Sequence, residues 1–478
     1  MPSPGRDASG WAGDSQPVAP WHAVVRGACL PALGIGAECR GKRVPPAPVA
    51  YSPPLPDTHS MTTMHPPIRR SLPWLLAGLS MIGPFSIDAV FPAFPLVGLA
   101  FGVDTVALQQ LLSVYLVTYA AMSLFHGAIS DAVGRKPVIV AGMLGYALAS
   151  VGAALSVSFA MLLVCRGVQG ACAGAGLVVG RAIIRDSLEG EAAQRLMSRV
   201  MMIFSVAPVI APMVGAQLLG LDGWHGIFWV LTGFTALLAA LLVVLLEETH
   251  PAERRSRFAL KPLLGSYLTF ARDRPLWPLL VSLSVNFAGL FLYIASAPHI
   301  VRGLLHLSAQ GFPWLFVPVV AGLVGGSWLS GRLAGRRGVV FTVNLGYAAL
   351  LLACALHLVL ALALPQPRLP WSILPLVLHG VGVQLAFPTL TLLLLDRFPR
   401  HRGGVASVQA FTSLMLSSVV AGVLSPLLSV DMLHLALGAS VLTLVGLVAW
   451  LDYHRSTRHP RQPPPRDTAL QAQIAEPR

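Results

Sequence analysis

About twelve apolar runs dictate what this chain can become. They lie near residues 73–92, 106–126, 138–157, 159–180, 199–219, 226–246, 276–298, 312–331, 339–363, 372–395, 404–428 and 433–452. Each is long enough to cross a hydrocarbon layer about 30 Å thick as a helix. Inside lipid, every backbone N–H and C=O needs a partner within its own segment or within a closed barrel, and runs without two-residue alternation mean helices. The expected fold class is an all-α membrane protein with twelve transmembrane helices. Composition agrees: 55% of residues are hydrophobic and 11% charged, against about 25% charged in an ordinary soluble domain.

Lys and Arg give the orientation, because cytoplasmic loops retain them. One set of alternate loops holds Arg135 and Lys136; Arg181, Arg185, Arg195 and Arg199; Arg254, Arg255, Arg257, Lys261, Arg272 and Arg274; Arg332, Arg336 and Arg337; and Arg397, Arg400 and Arg402. The opposite set holds Arg302 and Arg368, a split of 18 to 2. The first set is expected to be cytoplasmic. Arg69 and Arg70 before the first run and the tail from Arg455 to Arg466 put both termini inside as well, as an even number of spans requires. The expected location is the inner (cytoplasmic) membrane. The net charge of +13 is then mostly a topology signal, and no nucleic acid partner is expected.

Residues 1–68 stand apart as an extension expected to be disordered, or an over-extended start, since the segment from Met61 reads like a start just before the first span. Within the extension, Gly36 to Arg43 nearly matches a phosphate-binding loop. Arg43 stands where Ser or Thr is needed, and no strand-to-helix pattern surrounds it. Cys29, Cys39, Cys165, Cys172 and Cys354 have no zinc or disulfide spacing. No metal and no cofactor is expected.

The stretch 247–275 is the longest polar segment between runs, a central cytoplasmic loop that divides the helices six and six, into halves at 69–246 and 276–452. Residues 453–478 form a polar tail, expected to be disordered and cytoplasmic. "SDAVGRK" at 130–136 aligns with "GRLAGRR" at 331–337, an offset of about 201 residues. Two six-helix halves in parallel repeat are the signature of a transporter with its site near the midplane between them. Arg332 stands where the first copy has Asp131, so the halves are not functionally equal.

Five separated motifs extend this reading. "GAISDAVGRKP" at 127–137 resembles the loop signature of the major facilitator superfamily. "SIDAVFPAFP" at 86–95, "CRGVQG" with "VVGRAIIRD" at 178–186, "YIASAPHIV" at 293–301 and "DRFPRHRGGVAS" at 396–407 resemble the twelve-helix drug/proton antiporters of its bicyclomycin resistance (Bcr/CflA) group. The resemblance spans about 69–452. It implies a proton-coupled efflux transporter that exports small drug-like or metabolite molecules by alternating access, is no enzyme, takes its energy from the proton gradient and acts as a monomer. Three positions in two motifs depart from the group. The helix 5 motif reads "APMVGA" at 211–216, with Ala211 and Ala216 in place of glycines, and Ala89 follows Asp88 where the group commonly has a charged or bulky residue. Proton-coupled uptake is the alternative, and a non-transporting receptor a more distant one. A membrane-embedded enzyme is disfavoured because the spans hold no HExxH, GxSxG or paired His/Asp cluster.

Intramembrane polar residues sharpen the expectation. Asp88 lies roughly 24 Å up the first helix and Arg166 roughly 10 Å down the fourth from the other side, at similar depth. Charges this deep cost several kcal/mol and usually face an interior cavity and pair. Asp88 is expected to carry the exchanged proton and Arg166 to tune it, the alternative being a pair that only joins the helices. Gln169, on the face of Arg166, and Asn286, Tyr293 and Gln384 are expected to line the substrate cavity, with interhelical hydrogen bonding as the alternative for the last three. His357 and His379 read as core or rim histidines, and Pro208 and Pro212 as kinks. In the loop signature, Gly127 allows close approach, Asp131 closes helix 2, Gly134 turns the chain, and Arg135 and Lys136 stay in the cytoplasm. Asp131 is expected to pair with Arg135. In a state closed on that side it also meets the positive N-terminal end of a helix in the other half. By the resemblance that helix is the eleventh, beginning near Gly403.

Overall fold

The computed structural model describes residues 71–188, 190–255, 258–333, 336–364, 366–398 and 401–458. The extension 1–68, with its near phosphate loop, and the tail beyond Arg458 lie outside the described residues. The first half contains α1 (Leu72–Asp88), α2 (Phe94–Phe101), α3 (Thr105–Val133), α4 (Arg135–Ala154), α5 (Phe159–Ser187) and α6 (Gly190–Leu245). An amphipathic helix, α7 (Leu260–Arg272), leads to α8 (Leu276–Ala295), α9 (Pro313–Leu333), α10 (Val339–Ala363), α11 (Pro375–Arg397), α12 (Arg402–Val419), α13 (Ser425–Leu428) and α14 (Met432–Arg458). Together α1 and α2 make one crossing, and so do α12 and α13, joined by a π-helical turn at Val420–Leu424. The run inside α6 is far longer than a bilayer is thick, and its backbone leaves helical geometry at Asp222 and Gly223. It is two spans with a sharp turn between them, which brings the crossings among the described residues to twelve. Pro208 and Pro212 lie inside α6 without taking the backbone out of helical φ/ψ.

Side-chain chemistry marks where the spans begin. Asp104 accepts the amide of Ala107 at 2.8 Å at the start of α3, and Ser158 accepts that of Met161 at 3.2 Å at the start of α5, each satisfying a donor that a helix leaves free. Exposed tryptophans ring the bundle at two levels. Trp74, Trp277 and Trp328 stand at the end where the basic loops gather, here the basic end; Trp229, Trp314 and Trp371 stand towards the far end. Indole rings at both boundaries of an apolar belt are what a bilayer selects. At the C-terminus α14 continues past 452 to Arg458, carrying Arg455 into its last turns, where a cation complements the helix dipole.

One tyrosine–serine contact recurs at the offset of the two loop motifs. Tyr146 on α4 and Tyr347 on α10 are 201 positions apart, the offset read from the loop motifs. Each is buried with its hydroxyl against a serine on the first helix of its own half, Ser86 at 2.5 Å and Ser282 at 2.8 Å. Among the described residues, the direct side-chain hydrogen bonds between the halves lie towards the far end. Gln109 donates to the carbonyl of Ala295 at 3.0 Å, Gln110 to that of Gly422 in the π turn at 3.2 Å, and Ser113 to that of Ser418 at 3.1 Å. Phe91 stacks on Phe312 and Phe316 at the same end. At the basic end Gly403 is exposed with open space around it.

Candidate functional site

The site begins where the first crossing breaks. α1 ends at Asp88, a short 3-10 turn covers Phe91–Ala93, and α2 resumes the path. The break packs directly on α6, where a Cβ on Gly215 would run into the carbonyl oxygen of Ala89. Only glycine allows that approach, so the glycine retained in "APMVGA" holds the chain just past Asp88 against the fifth span. Ala211 and Ala216, which replace glycines there, are buried without obstructing it.

Arg166 on α5 is fully buried and surrounded by acceptors. Its Nε donates to the carbonyl of Leu111 at 3.1 Å, and its Nη1 to Ser86 Oγ at 3.2 Å and Gln169 Oε1 at 2.9 Å. The guanidinium lies over the Tyr115 ring, 4.6 Å from its centre. Gln169 passes the chain onward, donating to Ser150 Oγ at 2.7 Å. Four helices thus converge on one cation, with α1 contributing Ser86, α3 Tyr115 and Leu111, α4 Tyr146 and Ser150, and α5 Gln169.

Asp88 is 3% exposed, and no ion pair joins it to Arg166. Residues two apart on a helix point to nearly opposite sides. Because Ser86 faces Arg166, the carboxyl of Asp88 turns elsewhere, and its Oδ1 is buried with no hydrogen-bond partner. Arg166 likewise keeps Nη2 buried and unpartnered. The expected pairing is therefore absent in this arrangement, and both residues are buried. Each retains a free polar atom for another arrangement or for a ligand.

The loop signature forms a second cluster at the basic end. Arg135 pairs with Asp131, donates through Nε to Asp186 Oδ2 at 2.9 Å and through Nη1 to Ser130 Oγ at 2.6 Å. Glu248, just past the sixth span, accepts the amides of Arg135 at 2.9 Å and Lys136 at 3.2 Å and so caps α4. Lys136 Nζ reaches back to the carbonyl of Val243 at 2.7 Å. Gly134 has φ +115°, and a Cβ there would meet Glu248 Oε2 at 2.5 Å, so the turn and its cap both require glycine. The predicted pair of Asp131 with Arg135 is present; a contact of Asp131 with the start of α12 is not, and the Asp131 side chain remains 47% exposed.

The remaining candidates lie apart from the Arg166 cluster. Asn286 is buried with both amide atoms unpartnered. Tyr293 is buried, its hydroxyl 3.2 Å from His357 Nδ1 and its ring near His379, which makes these three a core cluster of the second half. Gln384 is half-buried and donates to Ser327 at 2.8 Å. Sequence reading passed over Ser86, Tyr115 and Tyr146, although the repeat of Tyr146 at Tyr347 was a usable signal. It also passed over Asp186, which lies inside a quoted motif without an assigned role, and Glu248, an acid at the edge of a basic loop. Among the described residues no group of His, Cys, Asp and Glu could hold a metal ion.

Comparison with known proteins places this geometry. Residues 76–426 match the Major Facilitator Superfamily. The uncharacterized MFS-type transporter YdgK of Bacillus subtilis (strain 168) is 28% identical over 372 residues, covering 76% of this chain and 89% of its own. A bicyclomycin resistance protein homolog of Haemophilus influenzae is 26% identical over 270 residues, 56% of this chain and 68% of its own. The crystal structure of a D-xylose-proton symporter superposes with a TM-score of 0.60 at 13% identity, covering 80% of this chain and 96% of that one; it shows the shared fold.

Proposed function

The chain belongs to the Major Facilitator Superfamily, and from that premise we propose that it is a proton-coupled antiporter exporting small drug-like molecules across the cytoplasmic membrane by alternating access. The observation that carries this reading is Asp88, a buried carboxyl whose Oδ1 has no partner, at the break of the first span and one helix face away from a buried arginine network. A secondary transporter draws its work from an ion gradient, and Oδ1 of this carboxyl has no hydrogen bond to break when a proton arrives or leaves. Drug resistance among relatives such as the Haemophilus protein supports export over uptake. The test is transport in proteoliposomes with an imposed pH gradient, using bicyclomycin and a cationic dye. An antiporter concentrates substrate on the acid side; accumulation on the alkaline side would mean symport.

The basic end is the cytoplasmic one in this proposal, supported by the 18 to 2 charge split. A reporter active only in the cytoplasm is expected to work when fused after Arg274 or Arg458 and to fail after Arg302. Activity at Arg302 would reverse the orientation.

In this proposal the arrangement, with the halves joined towards the far end and Gly403 free at the basic end, is the state open to the cytoplasm. Closing would bring the positive N-terminal end of α12 to the exposed carboxylate of Asp131. Replacing Asp131 by Asn leaves Arg135 its bonds to Asp186 and Ser130, so the local fold persists while the closed state loses its charge contact. Transport is expected to fall severalfold and cysteine probes in the cavity to become more reactive from the cytoplasmic side. Reduced transport at unchanged reactivity would remove Asp131 from the gate.

A further inference from the structure

The linker helix α7 carries two apolar faces, and the bundle uses only one. Tyr267 and Phe270 point inward. The Tyr267 hydroxyl donates to the carbonyl of Leu124 at 2.6 Å, and Phe270 is buried against Phe398, with Gly404 close by. A quarter-turn away, Leu260, Leu264 and Leu268 recur every four residues as a continuous stripe, and all three are exposed, Leu268 by 59%. Next to that stripe on the helix circumference come Lys261 and Arg272, both exposed, followed by Arg274 in the connection to α8. Among the described residues none of these three cations is in an ion pair. The one acid of this connection, Asp273, is already held by Arg397 at 2.6 and 2.8 Å.

The neighbourhood fixes the depth. Trp277, at the start of α8, is exposed and donates its indole N–H to the carbonyl of Ala271 at the end of α7, 2.8 Å away. A half-exposed tryptophan at this level marks the boundary between hydrocarbon and headgroups, and α7 is tied to it. A helix at that level with a leucine stripe edged by unpaired cations has the form of an interfacial helix on an anionic surface.

We propose that the bare face of α7 is a docking surface for anionic phospholipid, with Leu260, Leu264 and Leu268 seated among the acyl chains and Lys261, Arg272 and Arg274 against headgroup phosphates. The cations set the preference for anionic over zwitterionic lipid; the leucines set the depth. This surface is independent of the substrate and of the direction of transport.

The test uses the full chain, with its five native cysteines replaced and a single cysteine introduced by Leu264→Cys or Leu268→Cys and labelled with bimane. Thr269→Cys, on the exposed polar side of the same helix, is the reference. Each protein is reconstituted into vesicles of phosphatidylcholine alone, or of equal parts phosphatidylcholine and phosphatidylglycerol, containing nitroxide-labelled acyl chains. Quenching at 264 and 268 is expected to be severalfold stronger than at 269 in the mixed vesicles and clearly weaker in phosphatidylcholine alone. Adding Lys261→Gln and Arg272→Gln is expected to erase the difference between the two vesicles. Equal quenching in both vesicles would overturn the anionic preference. A probe at 264 and 268 that iodide reaches from water in both vesicles would overturn the lipid seat, leaving the face to a protein partner or a second copy of the chain.

Discussion

Replacing Asp88 by Asn is expected to abolish uphill transport while leaving downhill exchange in place. Asn keeps the size and one acceptor oxygen of the side chain, replaces the other oxygen by an NH2 donor, and can neither take up nor release a proton at physiological pH. Oδ1 of the carboxyl is buried with no hydrogen-bond partner, and among the described residues no ion pair to Asp88 is seen, so the substitution breaks no observed ion pair. The break at Ala89 is held by Gly215 on α6, which the change does not touch. Under an imposed pH gradient in proteoliposomes, the variant should bring substrate only to equal concentration on both sides, whereas the wild type should concentrate it. Exchange of labelled for unlabelled substrate, which needs alternating access but no proton, should continue. Accumulation by the variant at the wild-type rate would remove Asp88 from coupling.

Arg166→Ala is expected to impair uphill transport and exchange together. The guanidinium binds the carbonyl of Leu111, Ser86 and Gln169 and covers the Tyr115 ring. Its loss leaves a void among four helices and strands buried acceptors, at a cost of about 1–3 kcal/mol for each unsatisfied group. About 1.4 kcal/mol is already tenfold in an equilibrium, so both activities should fall by at least about tenfold. Arg166→Lys separates charge from shape: the ammonium retains the cation but cannot reproduce the planar fork that serves Leu111, Ser86 and Gln169 at once. Partial recovery of exchange by Lys is the expected result. Full activity in the Ala variant would reduce the arginine to a packing element.

The crossings and the burial of Asp88 and Arg166 were legible in the sequence because lipid imposes one simple rule on backbone and charge. The break of α1 was less so, since it depends on the contact of Ala89 with Gly215 across more than a hundred residues. The Arg166 partners illustrate the limit. Depth alone suggested Asp88, whereas the helical phase of α1 gives Ser86 to the arginine and turns Asp88 away. Glu248 escaped notice for a related reason. A cap is a tertiary relation, here between the end of the sixth span and the start of the third, and composition records only an acid in a basic loop. Tyr146 and Tyr347, by contrast, stand at the repeat offset already found in the loops, and extending that comparison into the spans would have found them.

The central claim is that Asp88 gives up a proton when substrate binds. Purified protein in weakly buffered detergent solution, just below the pH at which release is half complete, is mixed with a transported substrate while a pH indicator reads free protons. The wild type is expected to release protons on binding, and Asp88→Asn to bind substrate and release none. Equal release by Asp88→Asn would contradict the account, because the proton would then come from another group.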